Sequence, residues 1–182
     1  MIKCGDIGIS NRPSGWYSRG VRFFTRSNWS HCFILGVPYL ERASVLEADL
    51  KVQLVDWEKE YIHKRKDAWM IFEPILASNS CRVSAAEETF KFYNGMTYGF
   101  LQIPWFTVRA FLKWIGIGKT TRNYFPSGVI CSELVLFYLK KLGGEYEESF
   151  KHLTLDETSP QDILTLIYSY PNLFKFVAAR EL

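Results

Sequence analysis

Short apolar runs typical of β-strands are concentrated between residues 5 and 75 of this 182-residue chain, and helical patterns dominate the remainder. The strand-like runs are bounded by Pro, Gly and polar clusters, and several of them alternate apolar and polar residues. Separation of strands from helices along a chain is typical of α+β folds, in which helices pack against a mainly antiparallel sheet. The sequence therefore predicts a single α+β domain over residues 1–182.

Several local patterns refine this prediction. Residues 84–93 are predicted to form a helix with Ser84 as its N-cap, because Glu87 follows at the capping-box spacing. Ser159 and Pro160 precede a helix predicted over residues 161–168, and residues 173–179 are interpreted as a closing strand or helix. Two further segments are a short helix over residues 16–26 and a charged, solvated stretch over residues 58–67 that contains His63.

Composition argues against several functional classes. The net charge of +3 is too small to indicate nucleic-acid binding. The four cysteines include no C-x-x-C pair, which argues against a zinc ribbon or a redox dithiol, and no cofactor or metal is predicted. There is no N-terminal signal segment and no apolar run of membrane-spanning length, so we expect a chain made as a soluble, cytoplasmic protein. Delivery elsewhere by lysis, by a virus or by a dedicated secretion route stays open.

Cys131 begins the most strongly patterned helix of the chain. A Pro-Ser-Gly turn over residues 126–128 precedes it, and apolar residues then recur at three- and four-residue steps as far as Leu142. A thiol in the first turn of a helix lies at the positive end of the helix dipole, among unpaired backbone N–H groups. This environment stabilises a thiolate and lowers the thiol pKa. Taken alone, Cys131 is either a nucleophile or a buried structural residue.

His31 is the best-placed histidine to act as a base toward Cys131. It begins the apolar strand of residues 31–37, where a sheet edge would hold the ring rigidly, although a half-buried filler is the simpler interpretation of the residue alone. His63 lies in a charged stretch and His152 follows a glutamate-rich loop, so both are interpreted as surface residues. An imidazole within hydrogen-bond reach of a cysteine activates it as a nucleophile.

Glu47 is the candidate that would orient the His31 ring. It stands alone in the apolar strand Val45-Leu46-Glu47-Ala48, one strand along from His31. A histidine that acts as a base needs a third group to hold its ring and select its tautomer. Simple alternation along the strand is equally consistent with a Glu47 side chain that faces solvent. Asp49 shares the face of Glu47 by period two and is the fallback.

Six short pieces, taken in chain order, resemble a known family. They are Gly5-Asp6-Ile7, Trp29-Ser30-His31, Leu46-Glu47-Ala48, Tyr98-Gly99, Cys131-Ser132-Glu133-Leu134-Val135 and Ser159-Pro160 followed by Asp162-Ile163. This order is similar to the circularly permuted branch of the NlpC/P60 papain-like superfamily, the YiiX/YaeF-like and lecithin:retinol-acyltransferase-like proteins. In that branch the histidine strand precedes the cysteine helix.

The resemblance implies a fold and a set of roles. The implied fold is a permuted papain-like one, with a small barrel-like antiparallel sheet packed against helices and the nucleophile at a helix N-terminus. Cys131 is implied to be the nucleophile, His31 the general base and Glu47 the orienting residue. Tyr98 matches an aromatic residue that lines the family's cleft, and Ser30 and Ser132, beside the histidine and the cysteine, are assigned with it to substrate binding.

The expected function is that of a cysteine peptidase or amidase that cleaves an amide bond, with cell-wall peptides as the substrates that the family implies. A lipid acyl hydrolase or acyltransferase would use the same thioester, and the basic amphipathic residues 106–119 favour contact with a membrane surface. A papain-like module that only binds a partner is the third hypothesis, against which the intact Cys131, His31 and Glu47 argue. Residues 101–125 have no counterpart in the family and are interpreted as a lid or a docking insertion.

Overall fold

The computed structural model describes residues 2–11, 18–19, 22, 27–39, 42–99, 129–155 and 158–181. These ranges contain a six-stranded sheet, four α-helices and one π-helical segment, Glu58–Lys64. The strands are β1 (Ile7–Asn11), β2 (His31–Tyr39), β3 (Arg42–Ala48), β4 (Val52–Asp56), β5 (Ala68–Pro74) and β6 (Phe174–Arg180). The α-helices are α1 (Asn79–Tyr93), α2 (Cys131–Lys141), α3 (Gly144–Phe150) and α4 (Pro160–Ser169).

The sheet has the order β4-β3-β2-β1-β5-β6, and every described pairing of neighbouring strands is antiparallel. The α+β prediction is therefore confirmed, and the closing segment is a strand. The expected barrel-like closure is wrong, because β4 and β6 lie at opposite edges and no pairing joins them among the described strands. Five of the six strands come from the first 74 residues, in agreement with the strand-rich beginning of the sequence.

Alternation along the strands gives the sheet two buried faces. Cys32 and Ile34 of β2 belong to the larger core, which the sheet shares with the α-helices. Phe33 and Leu35 of the same strand belong to a second core on the opposite face, whose other buried members are Val45, Trp57, Tyr61, Trp69 and Ile71. Successive side chains of a strand point to opposite faces, so one strand can supply groups to both cores.

The π-helical segment covers the second face and corrects one expectation. Residues 58–67 were expected to be solvated, but Tyr61 is completely buried there. Its ring stacks on Trp57 with a centroid separation of 5.2 Å and packs 4.5 Å from the Phe33 ring. The charged residues of this segment predict solvation, but the Tyr61 ring packs against the sheet. His63 is on the outer side of the segment and is exposed, as expected.

The helix boundaries follow capping chemistry. Ser159 and Asp162 form the reciprocal capping box of α4, and Pro160 takes the first helical position, as predicted. Helix α1 begins at Asn79 rather than near Ser84, because the hydroxyl of Ser78 accepts a hydrogen bond of 3.2 Å from the Cys81 backbone N–H. Ser84 is an exposed residue inside that helix. The predicted N-cap is therefore wrong by six residues.

Several expectations concern residues outside the described ranges. These are the lid or docking insertion at 101–125, the membrane-contact segment at 106–119 and most of the helix expected at 16–26. Within the described part of the chain, no helix combines the length and the apolar character needed to cross a membrane.

Gly8 offers a test of how tightly the second face is packed. A Cβ atom on Gly8 would lie 2.0 Å from ring atoms of Phe33, the residue that packs against Tyr61. We expect Gly8→Ala to lower the free energy of unfolding by about 2–3 kcal/mol, because an overpacked core must shift side chains or backbone. Gly95→Ala is the comparison. A Cβ atom there meets nothing within 4 Å, so the only cost is that alanine must adopt the positive φ of 76°. It should cost about 1 kcal/mol, and equal losses in urea titrations would contradict the packing argument.

Candidate active site

Cys131 is the first residue of α2, as the sequence predicts. An extended approach places it there: Val129 forms a parallel bridge with Tyr98, and its N–H donates to the Thr97 carbonyl at 3.1 Å. Ile130 is the extended N-cap residue and has no side-chain capping bond. The buried helix face, formed by Leu134, Val135, Tyr138 and Leu139, then anchors α2 on the sheet. The sulfur therefore lies at a helix N-terminus, with 2 % of the residue exposed.

His31 is the first residue of β2 and lies opposite Ser10 of β1. It is completely buried, and its ring lies on the side of Phe33, 6.2 Å from that ring. Its Nε2 atom is 3.2 Å from Oε2 of Glu47. The ring also lies close enough to Cys131 to lower the pKa of that thiol. Because Nε2 faces the carboxylate, Nδ1 is the ring nitrogen to which we assign proton exchange with the thiol.

Glu47 is a completely buried carboxylate in the middle of the sheet. Besides His31, it accepts hydrogen bonds from the Tyr61 hydroxyl at 2.6 Å, from Gln53 Nε2 at 3.3 Å and from both terminal nitrogens of Arg65 at 2.8 and 2.9 Å. Burial acts to raise the pKa of Glu47, but the hydrogen bonds from Arg65 and His31 outweigh it and hold that pKa well below its usual range. The carboxylate is thus ionised at neutral pH.

The surroundings of the Cys131 thiol favour its ionised form despite its burial. A hydrogen bond from Cys32 is the largest influence on its pKa, followed by burial, which opposes ionisation, and by the hydrogen bond and charge of His31. Together these groups hold the pKa of Cys131 well below the ordinary value of 9.0. The pKa of Cys32 moves the other way, raised by its complete burial and by its contact with Cys131. Of the two thiols, Cys131 is the one whose surroundings favour the thiolate.

This arrangement can support nucleophilic chemistry. A thiolate beside an imidazolium, with a carboxylate on the far side of the ring, is the activated nucleophile of cysteine hydrolases. The N–H groups in the first turn of α2 have no carbonyl partner within the helix and are available, by their position, for an oxyanion. Cys131, His31 and Glu47, which were proposed together from the sequence, are brought into contact with one another through His31.

The predicted substrate-binding residues lie around this set, and their role stays a prediction. The Ser30 hydroxyl accepts a hydrogen bond of 2.8 Å from Ser18, and the Ser132 hydroxyl donates to the Thr158 carbonyl. Tyr98 is buried in the core that contains Cys131. All three are close to fully buried. The fallback residue Asp49 lies 3.8 Å from Arg65, toward the outside of the Glu47 cluster.

Four residues of the site were not foreseen from the sequence. Gln53 lies directly opposite Glu47 in the β3–β4 register, so correct strand pairing would have found it. Tyr61 lies on the π-helical segment, and Arg65 is the extended residue that caps its end, so their approach to Glu47 depends on where that segment stops. Cys32 follows His31 and reads as ordinary core by alternation. Its contact with Cys131 arises because α2 begins over the end of β2.

Comparison with known proteins agrees at the level of fold. Neither a scan of protein-family models nor a search of curated proteins finds a match to the chain. Among solved structures, the crystal structure of the metalloprotein YiiX (DUF1105) from Escherichia coli O157:H7 is similar, with a TM-score of 0.58. The match covers 99 % of this chain and 98 % of YiiX at 21 % sequence identity. The chain therefore shares the α+β fold of YiiX over nearly its whole length.

The thiol contact between Cys32 and Cys131 can be tested directly. We expect Cys32→Ala to raise the pKa of Cys131 by about one pH unit, because the thiolate loses a hydrogen-bond donor. The measurement is the ultraviolet absorbance of thiolate against pH, with Cys131→Ala identifying the transition that belongs to Cys131. Cys81→Ala is the matched control, since the sulfur of Cys81 contacts the Leu142 carbonyl instead. An unchanged transition in Cys32→Ala would show that the second thiol is a packing residue.

Proposed function

We propose that the chain is a cysteine hydrolase of the circularly permuted NlpC/P60 papain-like type and that it cleaves an amide bond. The observation that carries the proposal is the contact of Cys131 with His31 and of His31 with Glu47 at the N-terminus of α2. The lowered pKa of Cys131 supports it, because a merely structural buried cysteine has its pKa raised, as Cys32 does. The shared fold with YiiX is consistent with the proposal and says nothing about activity.

The proposed reaction proceeds in two half-reactions. The Cys131 thiolate attacks the amide carbonyl carbon, and backbone N–H groups at the start of α2 hold the oxyanion. The tetrahedral intermediate collapses with cleavage of the C–N bond, and the imidazolium of His31 transfers its proton to the departing amine. Water then attacks the thioester, with His31 taking the proton, and the acid is released as the thiolate re-forms. Glu47 holds the ring throughout and does not exchange a proton.

Peptides of the peptidoglycan type are the proposed substrates, on the strength of the family resemblance alone. Proton donation by His31 matters most for such amides, because an amine is a poor leaving group unless it is protonated. A lipid ester would need the same thioester and less acid assistance. The segment at 106–119 that favours a lipid surface lies outside the described residues, so amide and ester substrates are compared in the assay below.

The name of YiiX as a metalloprotein raises the question of a metal at the site. In the part of the chain that the structure describes, no group of three or more His, Cys, Asp or Glu side chains is arranged to hold a metal ion. Both oxygens of Glu47 already accept hydrogen bonds from Arg65, and one of them also faces Tyr61 and His31. The described residues around Glu47 therefore do not fit a metal centre, and no step of the proposed reaction uses one.

Cys131→Ala provides the direct test of the proposed function. We expect hydrolysis of a panel of cell-wall peptides and acyl esters to fall by at least about a thousandfold, because the nucleophile is removed. Mass spectrometry during turnover should show an acyl adduct on Cys131 in the unaltered protein and none in the variant. The substrate that forms the adduct most rapidly identifies the preferred carbonyl class.

Cys81→Ala is the control for this experiment, because it removes a thiol that contacts the Leu142 carbonyl and takes no part in the proposed site. It should retain activity. Hydrolysis that survives Cys131→Ala, with the fold verified by circular dichroism, would overturn the assignment of the nucleophile. Absence of any adduct or turnover across both amides and esters would favour the binding-module hypothesis instead.

The pH dependence follows from the direction of the Cys131 shift. Activity requires the thiolate, so kcat/KM should rise with pH through the lowered pKa of Cys131 and reach its plateau well below pH 9.0. It should fall again at higher pH, where His31 loses the proton that it gives to the leaving group. Cys32→Ala should move only the acid limb, and should move it upward. An acid limb near the ordinary thiol pKa would contradict an activated cysteine.

A further inference from the structure

The contact between Glu47 and Arg65 is an end-on, two-point ion pair made by the two terminal guanidinium nitrogens. Nη1 of Arg65 donates to Oε2 at 2.8 Å and Nη2 donates to Oε1 at 2.9 Å, so each carboxylate oxygen faces one guanidinium nitrogen. Glu47 is completely buried, and the Arg65 side chain is 15 % exposed. Pairs of this geometry are the strongest charge-assisted contacts that proteins form. The carboxylate beside His31 therefore does not present an uncompensated charge.

Arg65 is itself held in place from several directions. Its guanidinium lies 4.5 Å above the centre of the Tyr61 ring, a cation–π contact. Its backbone N–H donates to the Glu60 carbonyl at 2.8 Å, the bond that ends the π-helical segment. Arg180 of β6 donates to the carbonyls of Tyr61 and Ile62, both at 3.1 Å. Strand β6 thus holds in place the π-helical segment, which ends directly before Arg65.

Several charged and polar side chains of the described residues surround this pair. His31 faces Cys131 and Glu47, and Glu47 also faces Tyr61, Gln53 and Arg65. Two further carboxylates approach Arg65 from outside at longer distances, Asp49 at 3.8 Å and Glu60 at 3.9 Å. Among the described residues, Glu47 and Arg65 are therefore the closest opposite charges, because Asp49 and Glu60 are farther from Arg65 and partly exposed, and Glu60 also pairs with Lys64. Seen from the His31 ring, Glu47 and Arg65 offer an acceptor oxygen with little net charge.

We propose that Arg65 is a positioning residue, which forms with Glu47 a neutral acceptor that orients the His31 ring without placing a net negative charge beside it. A lone buried carboxylate would bind an imidazolium tightly and oppose transfer of its proton. The Arg65 guanidinium offsets that effect and leaves the directional hydrogen bond in place. The catalytic consequence, easier proton donation to a leaving amine, rests on the proposed function. The electrostatic arrangement itself does not.

A cycle of three variants tests this pair. The readout is the titration of the His31 ring by NMR, in a Cys131→Ala background that removes the coupled ionisation of the thiol. Arg65→Met should raise the His31 midpoint by about 1 to 3 pH units, because Glu47 then acts on the ring alone. Glu47→Gln should lower the midpoint, because the Arg65 charge is uncovered. The double variant Glu47→Gln/Arg65→Met replaces an ion pair of zero net charge by two uncharged side chains. It should therefore return the His31 midpoint close to its starting value.

Lys64→Met is the matched control, because it removes the same charge from the neighbouring residue, which is exposed and pairs with Glu60. It should leave the His31 midpoint unchanged. His63 and His152 are exposed and serve as internal references in the same spectra. If one single variant does not fold, the double variant remains decisive, since it leaves no unpaired buried charge. A fall or no change in Arg65→Met, or a double variant whose midpoint stays displaced, would overturn the proposal.

The same variants separate this inference from the proposed function. With Cys131 restored, Arg65→Met should lower kcat more than it changes KM, because proton donation is affected and substrate contacts are not. The His31 midpoints of the three variants could follow the expected pattern in a protein that hydrolyses no amide or ester. That result would leave the ion-pair assignment standing and reject the hydrolase. An active hydrolase whose titration cycle does not close would reject the ion-pair assignment alone.

Discussion

The burial of Glu47 is the constraint on which the rest of the second sheet face depends. Withdrawing a carboxylate from water costs several kcal/mol, and only well-directed donors offset that cost. The donors are His31 of β2, Gln53 of β4, Tyr61 of the π-helical segment and Arg65, which follows that segment. The rings of Phe33 and Trp57 pack against Tyr61 and thereby hold its hydroxyl toward the carboxylate.

The position of His31 explains how the two faces of one sheet cooperate. Cys131 belongs to the core shared with the α-helices, whereas Glu47 lies with the aromatic core on the other side. His31 contacts both because it is the first residue of β2, at the end of the strand where α2 begins. A histidine in the middle of β2 would face one core only. The same strand end lets Cys32 reach Cys131 from the helix side.

Much of this site follows from sequence patterns, and what does not follow has physical reasons. Helix periodicity places Cys131 at a helix start, strand position makes His31 and Glu47 candidates, and the family resemblance assigns the roles of all three. Arg65 was missed because a charged stretch is usually solvated, and nothing local shows that a buried acid lies opposite it. Cys32 was missed because alternation makes it a core residue, and its partner lies 99 positions away in the chain (131 minus 32). Barrel closure was wrongly expected because strand pairing at sheet edges depends on distant contacts.

The ionisation states of the proposed reaction give the site two pairs of opposite charges. With Cys131 as thiolate and His31 as imidazolium, one ion pair lies on the helix side, and Glu47 with Arg65 forms a second pair across the ring. Four ionised groups can then share a buried region because each lies beside an opposite charge. Cys32 adds no charge but supplies the thiolate with a donor. The catalytic proposal asks the imidazole to lose and regain a proton, and a second pair that remains neutral lets it do so with the least disturbance to the buried charges.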